Sequence, residues 1–233
     1  MEQSGATILQ LEGVGMRYGA TPALHDIDLR LTAGSFHFVV GPSGAGKTSL
    51  LRLLSLSHPP AEGKLVLFGR DVAKLDQEEL AAVRRRIGVV FQDLRLLDHL
   101  SAFDNVALPL RINGASDEQI STSVSQMLTW LGLGDVLERR PAELSMGQRQ
   151  LVAVGRAVMC RPSLLLADEP TSSIDQAKAQ RLMHLFLSLS RLGTAVLFVT
   201  HAEQLVRRYP FPVLSMKDGR LRPPVPSVLP MSA

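Results

Sequence analysis

The amino-acid sequence predicts an α/β fold built around a mainly parallel sheet, and three observations lead to this prediction. Apolar runs of strand length alternate with longer segments of helical spacing. A glycine-rich loop at 41–48 joins one predicted strand to one predicted helix. The apolar run 164–167 ends in two adjacent carboxylates, at the strand end where open parallel sheets bind their ligands.

The elements follow each other in a regular order. Strands are predicted at 8–11, 27–31, 36–40, 64–68, 87–91, 164–167 and 195–200, and helices at 48–56, 76–85, 102–112, 117–131, 148–159 and 175–191. Two helical patterns around Asn113-Gly114, with no strand between them, indicate a helical insertion. We therefore expect a single domain over 1–222, with the insertion at about 101–160, and a proline-rich tail over 223–233.

Composition and charge limit the possible classes of protein. The 233 residues suffice for one large domain, or for an α/β domain with a small helical insertion. The net charge is +3 and basic residues are scattered except at 84–86, which argues against nucleic acid as a partner. The single Cys160 excludes an internal disulfide and fits a reducing cytosol. Because no segment approaches the roughly 20 apolar residues that span a bilayer, we expect a soluble chain that reaches a membrane only through a partner.

The loop after the strand 36–40 fits the pattern of a P-loop. Its glycines let successive backbone N–H groups point at one anionic centre, and the helix that follows adds the positive end of its dipole. Lys47 would reach the β- and γ-phosphates, and the Thr48 hydroxyl would bind Mg²⁺. The predicted nucleotide-binding residues here are Gly41, Pro42, Ser43, Gly44, Ala45, Gly46, Lys47, Thr48 and Ser49.

The carboxylates Asp168 and Glu169 end the strand 164–167, and the P-loop also follows a strand. Both features should therefore face the same edge of a parallel sheet. Asp168 is suited to hold Mg²⁺ through a water, and Glu169 to orient or deprotonate the attacking water. Taken alone, the pair would be an ordinary solvated turn, and P-loop plus acids still leave kinases, GTPases and other ATPases open.

The segment Leu144-Ser145-Met146-Gly147-Gln148 narrows this choice. It resembles the signature motif of ABC ATPases, usually Leu-Ser-Gly-Gly-Gln or Leu-Ser-Gly-Gly-Glu, and it opens a helix with Ser145 at the N-cap position. Further matches occur in the family's order: Tyr18 for the adenine-stacking aromatic, Gln92 for the Q-loop, Asp175 for the D-loop and His201 for the switch histidine. Taken one by one, these residues would be ordinary surface or capping residues. Their order around a P-loop favours a role for them in the nucleotide site.

The resemblance implies a P-loop NTPase fold of the ABC type, with an antiparallel β subdomain and a helical insertion. It implies an ATPase that uses ATP and Mg²⁺, with Glu169, His201 and Gln92 in catalysis and Thr48, Gln92 and Asp168 around the metal. It also implies a head-to-tail homodimer, in which each ATP lies between the P-loop of one subunit and the signature helix of the other. The residues that would act across this interface are Ser145, Gly147, Gln148 and Asp175.

Within the family the chain most resembles the FtsE group of cell-division ATP-binding subunits. The matching stretches are 84–93, 96–97, 104–110 and 113–116. This implies an integral membrane FtsX-like partner, a peripheral location on the cytoplasmic face of the inner membrane, and control of cell-wall hydrolysis. ATPases for lipoprotein release and macrolide export share part of the pattern, so the energy subunit of such a transporter is the alternative. A further alternative is an ATP-gated assembly module whose hydrolysis is incidental. Glu169 argues against this alternative, because a pure binding module does not need a base.

The same resemblance places the partner's binding groove at 93–110. Leu96, Leu97 and Leu100 would be exposed anchors for a partner helix or, with equal weight, the insertion's own core. Three residues depart from the family pattern. Met146 replaces a signature glycine and could crowd the closed dimer, and Leu151 replaces the usual arginine. A third, Ala202, follows the switch histidine where an acid is common.

Overall fold

The structure is a computed structural model that describes residues 5–225. Its strands are β1 (Thr7–Tyr18), β2 (Thr21–Thr32), β3 (Phe36–Val40), β4 (Glu62–Leu67), β5 (Arg70–Asp71), β6 (Ile87–Val90), β7 (Leu164–Asp168), β8 (Ala195–Val199), β9 (Val213–Lys217) and β10 (Arg220–Val225). Its α-helices are α1 (Lys47–Leu54), α2 (Gln77–Arg85), α3 (Ala102–Ile112), α4 (Asp117–Trp130), α5 (Met146–Val158), α6 (Gln176–Arg191) and α7 (Glu203–Arg208). Short 3₁₀ turns occupy Val72–Lys74 and Pro141–Glu143.

The strands of this described region form two sheets. One is antiparallel, in the order β2-β1-β4-β5. The other has the order β10-β9-β3-β8-β7-β6, in which every neighbouring pair is parallel except β9 and β10. The predicted α/β fold, with a mainly parallel sheet and an antiparallel β subdomain, is confirmed.

The strands β7 and β8 are interior strands of the parallel sheet and are buried on both faces. Leu164 and Leu166 of β7 pack into an apolar core shared with the antiparallel sheet and α1. Leu165 and Ala167 pack into a second core with α3, α4, α5 and α6. Because both faces are covered, these strands are continuous apolar runs rather than alternating ones, and this is why the sequence shows them clearly.

The structure extends the predicted elements at several places. The first strand was expected at 8–11, but β1 continues to Tyr18 through register shifts near Gly13. There the backbone has φ 56°, and the Gly13 N–H donates to a side-chain oxygen of Asp28 at 2.8 Å. These irregularities break the alternation of side chains and so hide the strand from the sequence pattern. The elements β5, α7, β9 and β10 were not predicted.

The predicted tail also needs a correction at its start. The strand β10 runs through Val225, which pairs with Val213 of β9, so that 223–225 belong to the sheet. The rest of the predicted tail, 226–233, lies outside the described residues. The boundaries of the domain and of the helical insertion stay predictions. Between residues 5 and 225 no helix has both the length and the apolar character that crossing a membrane requires.

Candidate nucleotide-binding site

The carboxyl ends of four adjacent parallel strands bring the predicted site together. In the order β3-β8-β7-β6 these strands lead into the P-loop, His201, Glu169 and Gln92. Their ends enclose a cavity of about 230 Å³. The residues that line it are Ser43, Gly44, Gly46, Lys47, Thr48, Ser49, Gln92, Asp168, Glu169 and His201. All ten are among the residues predicted from sequence, so the structure places them in one site.

The P-loop backbone is shaped by close contacts beneath it. Gly41 passes so near the Met216 carbonyl oxygen of β9 that a Cβ atom there would collide with it. Gly46 is the N-cap of α1 and has φ 104°, a conformation that favours glycine. The helix therefore begins directly at Lys47, and its first residues, Lys47, Thr48 and Ser49, line the cavity. The N–H groups that a helix leaves unpaired at its start are suited to bind an anion there.

Lys47 is the cation of the cavity and is only 8% exposed. Its ammonium donates to the carbonyl oxygens of Gly41 and Pro42, both at 2.8 Å. Burial lowers the pKa of Lys47, and the carboxylates of Asp168 and Glu169 oppose this effect. The charge is thus held by the loop and by the acid pair, in a position to meet an anionic ligand.

Asp168 and Thr48 form the oxygen-rich side of the cavity. The Thr48 hydroxyl donates to an Asp168 carboxylate oxygen at 3.2 Å, and Asp168 is 3% exposed. Burial raises the pKa of Asp168, although the hydrogen bond from Thr48 and the charge of Lys47 act in the opposite direction. One carboxylate and one hydroxyl are hard oxygen ligands, which fit a Mg²⁺ ion that takes its other ligands from phosphates and water. No cluster of three or more His, Cys, Asp or Glu suited to a metal occurs within 5–225, so the phosphates would be essential ligands.

Glu169 combines a strained backbone with a carboxylate that has one oxygen without a hydrogen-bond partner. Its φ is +48°, which is unusual for a residue other than glycine and common at functional sites. One carboxylate oxygen accepts from the Thr200 hydroxyl at 3.3 Å. The other is buried without a hydrogen-bond partner and lies 3.7 Å from His201 Nε2. Burial raises the pKa of Glu169, partly offset by His201. The unpartnered oxygen is free to accept a proton from a water in the cavity.

Tyr18 lies at the end of β1, next to the P-loop helix rather than in the cavity lining. Its hydroxyl donates to the Ser49 Oγ at 3.4 Å and accepts from Arg52 at 3.2 Å. The ring is 37% exposed and packs edge-to-face against His58, with 5.0 Å between ring centroids. This leaves an aromatic surface beside the phosphate loop, as an adenine ring requires.

Three supporting residues were missed from the sequence: Thr200, Arg52 and His58. Thr200 could have been found, because it directly precedes His201 at a strand end. The other two carry no such signal, since their contacts depend on where β1 ends relative to α1.

The signature residues occupy a separate surface and do not line this cavity. The Ser145 hydroxyl caps α5 by accepting from the Gln148 N–H at 3.2 Å, and the Gln148 side chain accepts from the Ser145 N–H at 2.9 Å. Gly147 packs tightly on the D-loop, since a Cβ atom there would lie 2.9 Å from the Ser173 carbonyl oxygen. Asp175 caps α6 by accepting from the Lys178 N–H at 2.8 Å.

The departures from the family pattern have different environments. Met146 is 56% exposed at the first position of α5, beside Ser145. Leu151 is buried in the core between α5 and the parallel sheet. Ala202 is exposed, and its N–H donates to the Thr200 hydroxyl at 3.0 Å. Only Met146 therefore adds a side chain to the signature surface.

The site is thus that of a P-loop ATPase, and comparisons with known proteins agree. The family model described as ABC transporter matches residues 24–172. The cell division ATP-binding protein FtsE of Escherichia coli K12 is 39% identical over 215 residues, which cover 92% of this chain and 97% of that protein. The methionine import ATP-binding protein MetN of Chromohalobacter salexigens is 39% identical over 219 residues, and the chain spans only 63% of its length.

A solved structure is also similar over nearly its whole length. It is the dimeric structure of a post-hydrolysis state of an ATP-binding cassette bound to ADP and Pi, with a TM-score of 0.88, 30% identity, and coverage of 95% of this chain and 99% of that one. The chain belongs to the ABC transporter family. It is an ATP-binding subunit of that family and an enzyme that hydrolyses ATP.

Proposed function

We propose that two copies of this chain close around two ATP molecules, each held between the P-loop of one subunit and the signature helix of the other. This proposal rests on the separation of the predicted site residues into two places on the subunit. The cavity groups the phosphate and water-activating residues, whereas Ser145, Gly147, Gln148 and Asp175 lie outside its lining. A lone subunit thus offers one half of a site on each of two surfaces. The similarity to a dimeric ATP-binding cassette solved with bound ADP and Pi supports a dimer of this chain.

The residues take distinct roles in this proposal. Mg²⁺, which Thr48, Asp168 and Gln92 would hold, neutralises phosphate charge when bound. Lys47 binds the β- and γ-phosphates. Glu169 accepts the proton of the attacking water, while Thr200 and His201 orient the Glu169 carboxylate. Across the interface, the Ser145 hydroxyl uses a lone pair for capping and keeps its proton to donate to a phosphate oxygen.

A complementation experiment tests the shared site. Lys47→Ala removes the phosphate cation and Ser145→Arg blocks the signature surface, so each variant alone should be inactive. A mixture of the two forms mixed dimers in which one site carries both changes and the other carries neither. We expect turnover in the mixture well above the sum of the separate variants. A mixture no more active than its components would refute the shared site.

We also propose that the subunit works with an integral membrane partner on the cytoplasmic face of the membrane. A cleft of about 460 Å³ lies beside the Q-loop. Its lining is mostly apolar, includes Phe91, Leu108 and the 67% exposed Ile112, and has only arginines among its charged residues. Of the three leucines expected as anchors, Leu97 is exposed, Leu100 is half-buried, and Leu96 packs against the core. The partner surface we propose is therefore this cleft together with Leu97.

The cell-division role, with an FtsX-like partner that controls cell-wall hydrolysis, is our first proposal and rests on the similarity to FtsE. Methionine import is the second, because MetN is equally identical. Purification with the native membrane partner distinguishes them. A partner with a large external loop and no solute pocket supports the first, and a many-span permease that binds methionine supports the second. Ile112→Glu should abolish copurification, whereas Leu192→Glu, at an 80% exposed position outside the cleft lining, should not.

A further inference from the structure

Arg156 connects the signature helix to the loop that contains Gln92. It lies on α5, the helix that Ser145 caps, and its guanidinium crosses to the segment after β6. Nη1 donates to the Arg95 carbonyl oxygen and Nη2 to the Leu94 carbonyl oxygen, both at 2.7 Å. A planar guanidinium is suited to bind two neighbouring acceptors in this way.

The charge of Arg156 is not matched by an acid within the described residues. None of the ion pairs there includes it, and burial lowers its pKa. Its compensation comes from the two carbonyl groups, so the interaction with this loop is the role that its position favours.

The two carbonyls belong to a backbone turn that needs external support. Leu94 has φ 56° and Arg95 has φ 47°, so two successive residues other than glycine are left-handed. Such conformations are costly and persist only where surrounding contacts hold them. Besides Arg156, the turn is supported by its own backbone hydrogen bonds, from the Leu94 N–H to the Phe91 carbonyl oxygen and from the Arg95 N–H to the Asp93 carbonyl oxygen. The Arg95 guanidinium also lies over the Phe91 ring, at 3.7 Å, and forms an ion pair with Asp93.

Gln92 precedes this turn and reaches the nucleotide cavity. The Leu94 N–H donates to the Phe91 carbonyl oxygen at 3.0 Å, so 91–94 form one closed turn with Gln92 inside it. We propose that Arg156 is a positioning residue that holds the turn at 94–95 and thereby fixes Gln92 in the cavity. Through α5, the same contact ties Gln92 to the signature surface. The inference rests on the role proposed above for Gln92.

Arg156 also shares its surroundings with the proposed partner cleft, because Phe91, Arg95 and Arg156 are all among the cleft lining. A partner helix seated there would press on the turn that Arg156 holds. Docking of the partner and placement of Gln92 would then depend on the same contacts.

A double-mutant cycle on the full chain tests the inference. Steady-state kcat and the KM for ATP, with Mg²⁺ present, are compared for Arg156→Met, Gln92→Ala and the double variant. We expect Arg156→Met to lower kcat about 10–100-fold, as loss of supporting residues around a metal or catalytic group does. The KM for ATP should change by less than about twofold, because Lys47 and Tyr18 keep their places. In the Gln92→Ala background, Arg156→Met should cause no further loss.

The conservative change and a matched control complete the design. Arg156→Lys should restore part of kcat, since one ammonium can bind two neighbouring carbonyls, as Lys47 does. Arg181→Met removes a similar bond from an arginine to a backbone carbonyl, that of Trp130, away from the cavity, and should leave kcat unchanged. Should Arg156→Met not fold, Arg156→Gln takes its place in the cycle.

The outcomes separate two failures. Three outcomes would overturn the inference and leave the proposed function intact. The losses of kcat in Arg156→Met and Gln92→Ala could be additive, kcat of Arg156→Met could equal that of the wild type, or Arg181→Met could lose as much kcat as Arg156→Met. A wild-type kcat for Gln92→Ala would overturn the role of Gln92 and this inference with it.

Discussion

The nucleotide cavity lies at the carboxyl ends of strands and the signature surface at the starts of helices, and the two regions differ in how deeply their residues are buried. The cavity holds charges away from water, with Asp168 3% and Lys47 8% exposed, and burial shifts their pKa values in opposite directions. The signature surface has exposed residues at its helix starts, Ser145, Met146 and Asp175. One region is organised before any ligand arrives, whereas the other presents capped helix N-termini outward. The first region therefore holds the groups suited to chemistry, and in the dimer proposed above the second region would complete the site by contact with it.

The largest effect should come from the cavity. Glu169→Gln removes the proposed proton acceptor and keeps the size of the side chain, so we expect turnover to fall about 10²–10⁴-fold. ATP binding should persist, because the P-loop is untouched. The matched control is Glu203→Gln, an exposed carboxylate paired with Arg207, which should hydrolyse ATP normally. Turnover near the wild-type value in Glu169→Gln would end the assignment of Glu169.

A smaller effect is expected on the signature surface. Gly147→Ala places a Cβ atom 2.9 Å from the Ser173 carbonyl oxygen, so the D-loop must shift. We expect about a tenfold fall in turnover, from a cost near 1.4 kcal/mol in forming the closed dimer. ATP affinity of the single subunit should not change. The control Gly134→Ala meets only ordinary contacts, from 3.4 Å. An equal loss of ATP affinity in Gly147→Ala would contradict the division of the two regions.

The two regions differ in how far the sequence predicts them, for physical reasons. The cavity residues were predictable because P-loop, acids and histidine each follow an apolar strand, and parallel strands share one carboxyl edge. The signature surface was located only through the family resemblance, since a capped helix start carries no sign of what it faces. Thr200 and Arg156 were missed: their partners, Glu169 and the carbonyls at 94–95, are distant in sequence.

The edges of the fold were the least predictable part. The strands β9 and β10 were not identified, although the P-loop packs on Met216 of β9. Short strands with polar residues give a weak pattern, and the prolines at 223–224 are typical of a tail rather than of a strand. In the structure they belong to β10, whose only strand neighbour is β9, within the described residues. An edge strand tolerates proline because one row of its N–H groups needs no partner.

Met146→Gly should have a modest effect on the same surface as Gly147. Its side chain is 56% exposed next to Ser145, where the other subunit's phosphate would lie in the proposed dimer. Removing it should favour closure and raise turnover a few-fold, equivalent to about 1 kcal/mol or less. The measurement is turnover over a range of protein concentration. The control is Ile112→Ala, at a position that is exposed but outside the signature surface, and it should leave turnover unchanged. An unchanged or lower turnover in Met146→Gly would show that the methionine does not obstruct the dimer.

The smallest expected effect is on the folding stability of the chain and comes from Glu169 in the cavity. Burial raises the pKa of Glu169 in the folded chain, so the native state binds its proton more readily than the unfolded state does. Stability must then fall as pH rises from the unfolded pKa through the folded one. Glu169→Gln removes this penalty, so the nucleotide-free variant should unfold about 2–4 °C higher than wild type at pH 8 if the penalty is near 1 kcal/mol. The difference should shrink toward pH 4, whereas Glu203→Gln should show none. A variant that gains no stability at pH 8 would mean that Glu169 is better solvated than its burial indicates.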